Sequence, residues 1–241
     1  MEGDVRLPAL RSDILRYIVE NERQPGDKLP TIQQIGQELG TSVAKTRESL
    51  EVARALGAVA IKPGRGTEVV EYRFAPAVTL SALYAIGQDF GKFEELRQMR
   101  NALEVYFWED AVRHLDVEAL ACLRALIDSA NDRLSRSPLQ VPATEHRRFH
   151  LVIFAGLNNS FVSGVLEAYW DVYEAFGLNM YADLDYLRRV WGYHERMVDA
   201  IEAGDIEASR RLLVEHMNLL SDRKLTQNPV QPPDTGRFLF E

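Results

Sequence analysis

Four of the five histidines in this 241-residue chain stand where helical spacing could let them act together. His146 and His150 are four apart in EHRRFHLVIF, which puts both on one helix face at a separation suited to two ligands of one ion. His194 falls in YHERMVDAI and His216 in LLVEHMNLL, each within a further helical period. Antiparallel packing of the three helices could gather all four rings in a bundle interior, where such folds build metal sites. Imidazole suits zinc, copper, iron or nickel. Four neutral ligands leave the ion's charge uncompensated, and an anion from outside could balance it. A plainer reading stands beside this one, because a histidine on a half-apolar helix is commonly just packed and hydrogen bonded. His114 lies on no comparable pattern and reads as a surface residue.

The elements that must position these residues follow from periodicity beyond Pro76. Helical repeats with little strand signal run over 77–86, 92–114, 117–135, 143–157, 160–178, 184–203 and 206–224. Asp116, Asp183 and Asp205 stand at N-cap positions, Gly204 closes one helix, and Ser135-Arg136-Ser137-Pro138 breaks another. Short links favour antiparallel neighbours, so this part is expected to be an all-α antiparallel bundle. The aromatics Tyr106, Phe107, Trp108, Tyr169, Trp170, Tyr173 and Trp191 read as core or dimer surface. Arg100 and Glu104 are spaced as an i,i+4 ion pair on one helix. The tail from Thr226, with Pro229, Pro232 and Pro233, reads as a mobile segment in which Phe238, Leu239 and Phe240 could dock.

The first third has a different texture. Leu10, Ile14, Tyr17 and Ile18 form one helical stripe that ends at Pro25-Gly26. Two short amphipathic helices follow, separated by Leu39-Gly40-Thr41-Ser42, with Gly40 ending the first and Ser42 capping the second. Val59, Ile61, Val69 and Val70 bracket Lys62-Pro63-Gly64-Arg65-Gly66, two β-prone runs around a turn. Helix, tight glycine turn, helix and basic-tipped hairpin make a winged helix-turn-helix. The fold class expected is therefore mostly α. A DNA-binding head is expected over residues 1–75, a second, helical domain over 76–225, and a tail over 226–241.

Net charge is −8, which seems to argue against a nucleic-acid partner. Its distribution answers part of the objection. Residues 1–74 hold 11 basic and 11 acidic side chains, so the excess acid lies wholly in the rest. Within the head, Lys45, Arg47, Arg54, Lys62 and Arg65 gather on the recognition helix and wing, and it is local positive charge that phosphate neutralisation needs. No run has the length of a membrane span, and the N-terminus lacks a signal-peptide layout. Cys122 stands alone, in keeping with a reducing, cytoplasmic setting.

The head resembles the DNA-binding domain of the GntR superfamily of bacterial transcription regulators. PGDKLP at 25–30, TRESL at 46–50 and PGRGT at 63–67 carry the likeness. Two departures matter: Thr31-Ile32-Gln33 replaces the usual Ser-Glu-Arg, and Val43 follows Ser42 where an arginine is usual. Each removes an arginine that would face DNA, so the operator should not be the commonest one. Lys45 and Arg47 are the expected base-edge or phosphate contacts, and Ser42 is expected to bond phosphate. Gln33 stands in the place of the first-helix arginine, and Arg65 with Gly66 suits a minor-groove approach. Arg47 could alternatively pair with Glu51.

The bundle is similar to the FCD effector domain of the FadR branch of that superfamily, on Arg100-Asn101-Ala102-Leu103-Glu104, Phe149-His150, His194, Ala200-Ile201, Gly204-Asp205 and His216. The resemblance implies a divalent metal held by three histidines and an aspartate, with an arginine at position 100 meeting a carboxylate effector. Here His146 occupies the aspartate's place. Imidazole can still coordinate, and it favours softer ions, so zinc or nickel is expected at His146, His150, His194 and His216. The reading is a homodimeric, ligand-responsive regulator of a near-palindromic DNA operator, with a small organic acid as effector and no membrane partner. Two alternatives remain open: a metal-free regulator sensing a lipid or acyl thioester, and a histidine-metal enzyme with Glu145 or Glu195 as base.

Overall fold

A computed structural model describes residues 10–177 and 183–221. The expected tail at 226–241 lies outside the described residues. The chain divides into two compact units between Ser81 and Ala82.

The first unit opens with α1 (Asp13–Glu20), which buries Ile14, Tyr17 and Ile18. After it comes α2 (Ile32–Leu39), whose start is a reciprocal capping box. Thr31 Oγ1 accepts from the amide of Gln34, and Gln34 Oε1 accepts from the amide of Thr31. Gly40 then takes the left-handed conformation (φ 63°), and Ser42 caps α3 (Val43–Ala55) by accepting from the amide of Lys45. The turn is tight because Gly36 lets the helices close. A Cβ there would stand 3.0 Å from the Thr41 carbonyl oxygen and 3.1 Å from Thr46 Oγ1. The wing is β1 (Val59–Lys62) paired antiparallel with β2 (Gly66–Val69), Val59 opposite Val69 and Lys62 opposite Gly66. Residues 26–29 run along the outer side of β2, exchanging bonds between Gly26, Asp27 and Val69 and between Leu29 and Thr67. Leu29, Ile35, Leu50, Ala53, Val59 and Val69 close one small core over α1.

Seven further helices follow: α4 (Ala75–Gln88), α5 (Lys92–Arg113), α6 (Val117–Ser135), α7 (Ala143–Phe154), α8 (Ser160–Ala175), α9 (Leu184–Glu202) and α10 (Ile206–Ser221). Asp116, Asp183 and Asp205 accept from the amides three residues on, as N-caps do. The division between the units falls inside α4, which takes Pro76 into its first turn, where proline's missing N–H has no partner to lose. The helix expected over 143–157 is shorter. It stops at Phe154, passes through a 3₁₀ turn (Ala155–Leu157) and ends at Asn158 in the left-handed region, after which Asn159 caps α8. Similarly α8 ends at Ala175, before Gly177 at φ 64°.

The bundle packs α5 with α10, α6 with α7 and α9, and α9 with α10. Its core holds Trp108, Leu123, Phe149, Ile153, Trp191 and Met197, all essentially inaccessible. A second cluster joins Ile86 and Phe93 to Tyr169, Trp170 and Tyr173 of α8. Trp108 is locked by a polar contact as well as by packing, for its indole N–H donates to Ser209 Oγ of α10 at 2.9 Å, with both residues at 0% exposure. Ser209→Ala leaves that donor buried and unpaired and is expected to cost about 1–3 kcal/mol in urea denaturation. Unchanged stability would show that the bond adds nothing to the α5–α10 junction.

Candidate functional site

The bundle brings the four histidines together. His146 and His150 lie one turn apart on α7 with ring centroids 5.1 Å apart. His194 of α9 is 5.0 and 5.4 Å from them, and His216 of α10 is 4.5 Å from His194. One ligand nitrogen from each ring can be chosen so that all four lie within 4.8 Å of one another. A zinc–nitrogen bond of about 2.0–2.1 Å spaces tetrahedral ligands about 3.4 Å apart, so modest side-chain closure would complete the set. The residues fit a metal on a second ground. Both nitrogens of His194, Nδ1 of His216 and Nε2 of His146 are covered and have no hydrogen-bond partner. Buried polar atoms in a folded chain are ordinarily paired, and ring nitrogens gathered this closely without partners are what an ion would satisfy.

Electrostatics favour the ligating form. Burial holds all four rings neutral, far below the usual imidazole range, and neighbouring charge adds to it: the next histidine and Arg100 for His146, Arg100 for His150, His216 for His194, and His150 for His216. Phe149 stacks on His194 with centroids 4.2 Å apart, and Trp170 stands edge-on to His146 at 4.8 Å. A cavity of about 30 Å³, room for one or two waters, reaches His146, Trp170 and Trp191 between α7, α8 and α9. The indole N–H of Trp170 is buried there without a partner.

Arg100 lies against this cluster, 4% exposed, with its Nη2 3.0 Å from Nδ1 of His150. Its i,i+4 pairing with Glu104 exists at 2.8 Å, yet it is no surface pair. Glu104 is wholly buried, and burial raises its carboxyl pKa although Arg100 opposes the shift. The guanidinium also lies over the rings of Tyr169 and Trp170 at 5.1 and 5.6 Å. A buried pair of this kind adds little net stability, but removing one partner costs about 3–5 kcal/mol. Glu104 is the residue beside the cluster that spacing under-read: the Arg100–Glu104 interval gave the pair, and only packing gives its depth. The candidate carboxylate bases stand elsewhere. Glu145 is buried against Ser129 and Arg133, at 2.9 and 2.7 Å, and Glu195 is exposed. His114 is exposed, as its lack of pattern suggested.

On the head, the expected DNA-facing residues Gln33, Ser42, Lys45, Arg47, Arg65 and Gly66 are all exposed. They differ in freedom. Lys45 reaches Asp13 of α1 at 3.4 Å, Arg54 takes Glu51 at 2.7 Å, and Lys62 takes Glu68 at 2.8 Å. Because Arg54 occupies Glu51, the alternative Arg47–Glu51 pair does not form. Among the described residues, Arg47 and Arg65 have no acidic partner. Ser42 Oγ is engaged as an acceptor in its cap, and its O–H remains able to donate.

Comparison with known proteins places this geometry. Residues 9–69 match the family described as "Bacterial regulatory proteins, gntR family", and residues 95–219 match the "FCD domain". The chain belongs to the GntR family of bacterial regulators and carries an FCD domain. It is 24% identical over 229 residues to the Uxu operon transcriptional regulator of Escherichia coli K12, spanning 93% of this chain and 88% of that one. It is 23% identical over 214 residues to the HTH-type transcriptional regulator LutR of Bacillus subtilis 168, spanning 85% and 94%. The fold is similar to that of a Streptococcus agalactiae GntR structure, with TM-score 0.65 and 16% identity over 90% of this chain and 99% of that one. The GntR head implies DNA binding and the FCD domain a small-molecule effector, so this chain is a transcription regulator and not an enzyme. No helix among the described residues is long and apolar enough to cross a membrane.

The neutral rings make stability depend on pH in a fixed direction. In the unfolded chain each histidine takes up a proton near pH 6.5, whereas the buried ring resists until far lower pH. Stability of chelator-treated protein is therefore fully present above about pH 6.5 and falls as pH drops, each ring adding a slope of at most about 1.4 kcal/mol per pH unit. Glu104, whose folded pKa is raised, opposes with a single proton. Thermal melts from pH 7.5 to 5.5 should show a steep loss that becomes shallower in His194→Gln; equal slopes would mean that the rings protonate freely when folded.

Proposed function

We propose that this GntR-family regulator is a metal-dependent sensor of a small carboxylate. The observation that carries the proposal is the convergence of four neutral imidazoles, three buried and His146 half-buried, their ligand atoms within 4.8 Å, beside the buried guanidinium of Arg100. His146, His150, His194 and His216 would hold the ion, zinc or nickel being favoured by an all-nitrogen set. Bound there, it would supply a Lewis-acidic centre for carboxylate oxygens. Arg100 offers a planar fork to the same group. With His146 where many members of the family carry aspartate, the four histidines contribute no negative ligand, which favours an anion as effector. The motifs at Arg100–Glu104 and Phe149-His150 support placement in the FadR branch.

In this reading residues 1–75 contact DNA and residues 76–225 bind effector and form the homodimer, in the cytoplasm where operators are found. A head with no net charge needs two copies on a near-palindromic site to hold DNA well. Arg47 is assigned the recognition-helix contact and Arg65 with Gly66 the wing contact; Gln33, Ser42 and Lys45 complete the face. An effector shifts the dimer between states only by its differential affinity for them.

Metal analysis of purified protein should find one equivalent of transition metal per chain, and gel shifts with a selected operator should respond to small organic acids only while metal is present. Full response after chelation would favour the metal-free alternative, an apolar lipid or acyl thioester ligand. Arg47→Ala is expected to weaken operator binding by about tenfold to a hundredfold. Lys45→Ala, whose ammonium Asp13 already neutralises in part, should do less. The reverse ranking would move the principal contact to Lys45.

A further inference from the structure

The Arg100–Glu104 pair meets one ring nitrogen from two sides. Nη2 of Arg100 stands 3.0 Å from Nδ1 of His150 and 3.4 Å from its Nε2. Oε2 of Glu104 lies 3.3 Å from the same Nδ1. That oxygen is buried with no hydrogen-bond partner, although Oε1 of the same carboxylate accepts from Nε of Arg100 at 2.8 Å. A neutral imidazole carries one proton, and its place decides which neighbour Nδ1 can serve. With the proton on Nε2, Nδ1 accepts from Arg100 and the ring has no lone pair left for a metal. With the proton on Nδ1, the ring donates to Glu104 and the lone pair of Nε2 is free.

We propose that Arg100 and Glu104 are alternative partners of Nδ1 of His150, and that metal capture hands this nitrogen from the arginine to the carboxylate, releasing Nη2 of Arg100 for an anionic effector. The inference rests on the metal reading of the cluster. It needs no change in charge at the ring, since one proton leaves Nε2 for solvent and another is taken up at Nδ1. The unpartnered Oε2 then gains a donor. Ligating histidines ordinarily give their second N–H to a carboxylate or carbonyl, which fixes the tautomer and strengthens the ligand. Glu104 is thus a positioning residue for His150, and Arg100 is held in reserve until the metal arrives. Metal and effector binding become coupled through one side chain, and the coupling acts equally in both directions.

Side-chain ¹⁵N NMR of histidine-labelled wild-type protein tests the exchange without any substitution. Metal-free protein should show the Nε2–H tautomer at His150, and protein loaded with Zn²⁺ the Nδ1–H tautomer with a ligated Nε2. Glu104→Gln, folded by circular dichroism, should bind Zn²⁺ about 10–100-fold more weakly in chelator competition. A His150 proton that stays on Nε2 when zinc is bound, or a folded Glu104→Gln chain that binds zinc as tightly as wild type, overturns the proposal and leaves the metal reading intact. A wild-type chain that takes up no zinc overturns both. If Glu104→Gln does not fold, the wild-type spectra decide.

Discussion

Four imidazoles gathered in one cluster, three buried and His146 half-buried, set the terms for the rest of the bundle. Each buried ring nitrogen without a partner costs the fold on the order of 1–3 kcal/mol, and His194 alone has two. A protein gains nothing in packing from such atoms that leucine or phenylalanine would not give more cheaply. The surroundings are nevertheless built to keep them in place: Phe149 stacked on His194, Trp170 against His146, Trp191 beneath both. Arg100 and Glu104 sit in the same apolar shell as a buried ion pair, another arrangement that is weak as a source of stability. Local costs concentrated at one spot, inside an otherwise apolar core, are the mark of a site shaped for a ligand.

The head solves a different electrostatic problem. Its positive charges are matched in number by negative ones, and three of the five basic side chains on the recognition helix and wing spend their charge on nearby carboxylates. Such pairs are exposed and weak, so they leave the charge available in principle, but each dulls the field that phosphate would meet. Arg47 and Arg65 have no acidic partner among the described residues, Glu51 on the same helix as Arg47 being taken by Arg54. Affinity for DNA then has to come from geometry: the capped N-terminus of α3, the tight α2–α3 turn that Gly36 permits, and the wing held by residues 26–29.

The elements were legible in the sequence wherever a local rule governed them. Gly40 and Ser42 marked the turn, Asp116, Asp183 and Asp205 marked three helix starts, and the i,i+4 interval of His146 and His150 placed them on one face. What stayed hidden was non-local. No spacing shows that α9 and α10 aim His194 and His216 at the same point, and the family likeness supplied that step. Nor does an interval of four reveal that Arg100 and Glu104 pair inside the core, where Glu104 is wholly shielded, instead of on a helix surface. The left-handed Asn158 that ends α7 early carried a weak signal, since asparagine tolerates that conformation without announcing it.

Size finally constrains how an effector could act. The space beside His146 is about 30 Å³, room for one or two waters. Its walls are Val141, Pro142, Trp170, Tyr173, Val190 and Trp191, with the exposed Glu174 also among its lining. In the proposed reading a carboxylate larger than that space would displace part of α7, α8 or α9, and α9 runs directly into α10 through the three residues 203–205. Close-packed cores respond to such an insertion by moving between discrete arrangements and do not deform smoothly. On that reading the tightness of the site would give an effector differential affinity for two states of the bundle, and without that difference no ligand, however strongly held, could report its presence to DNA.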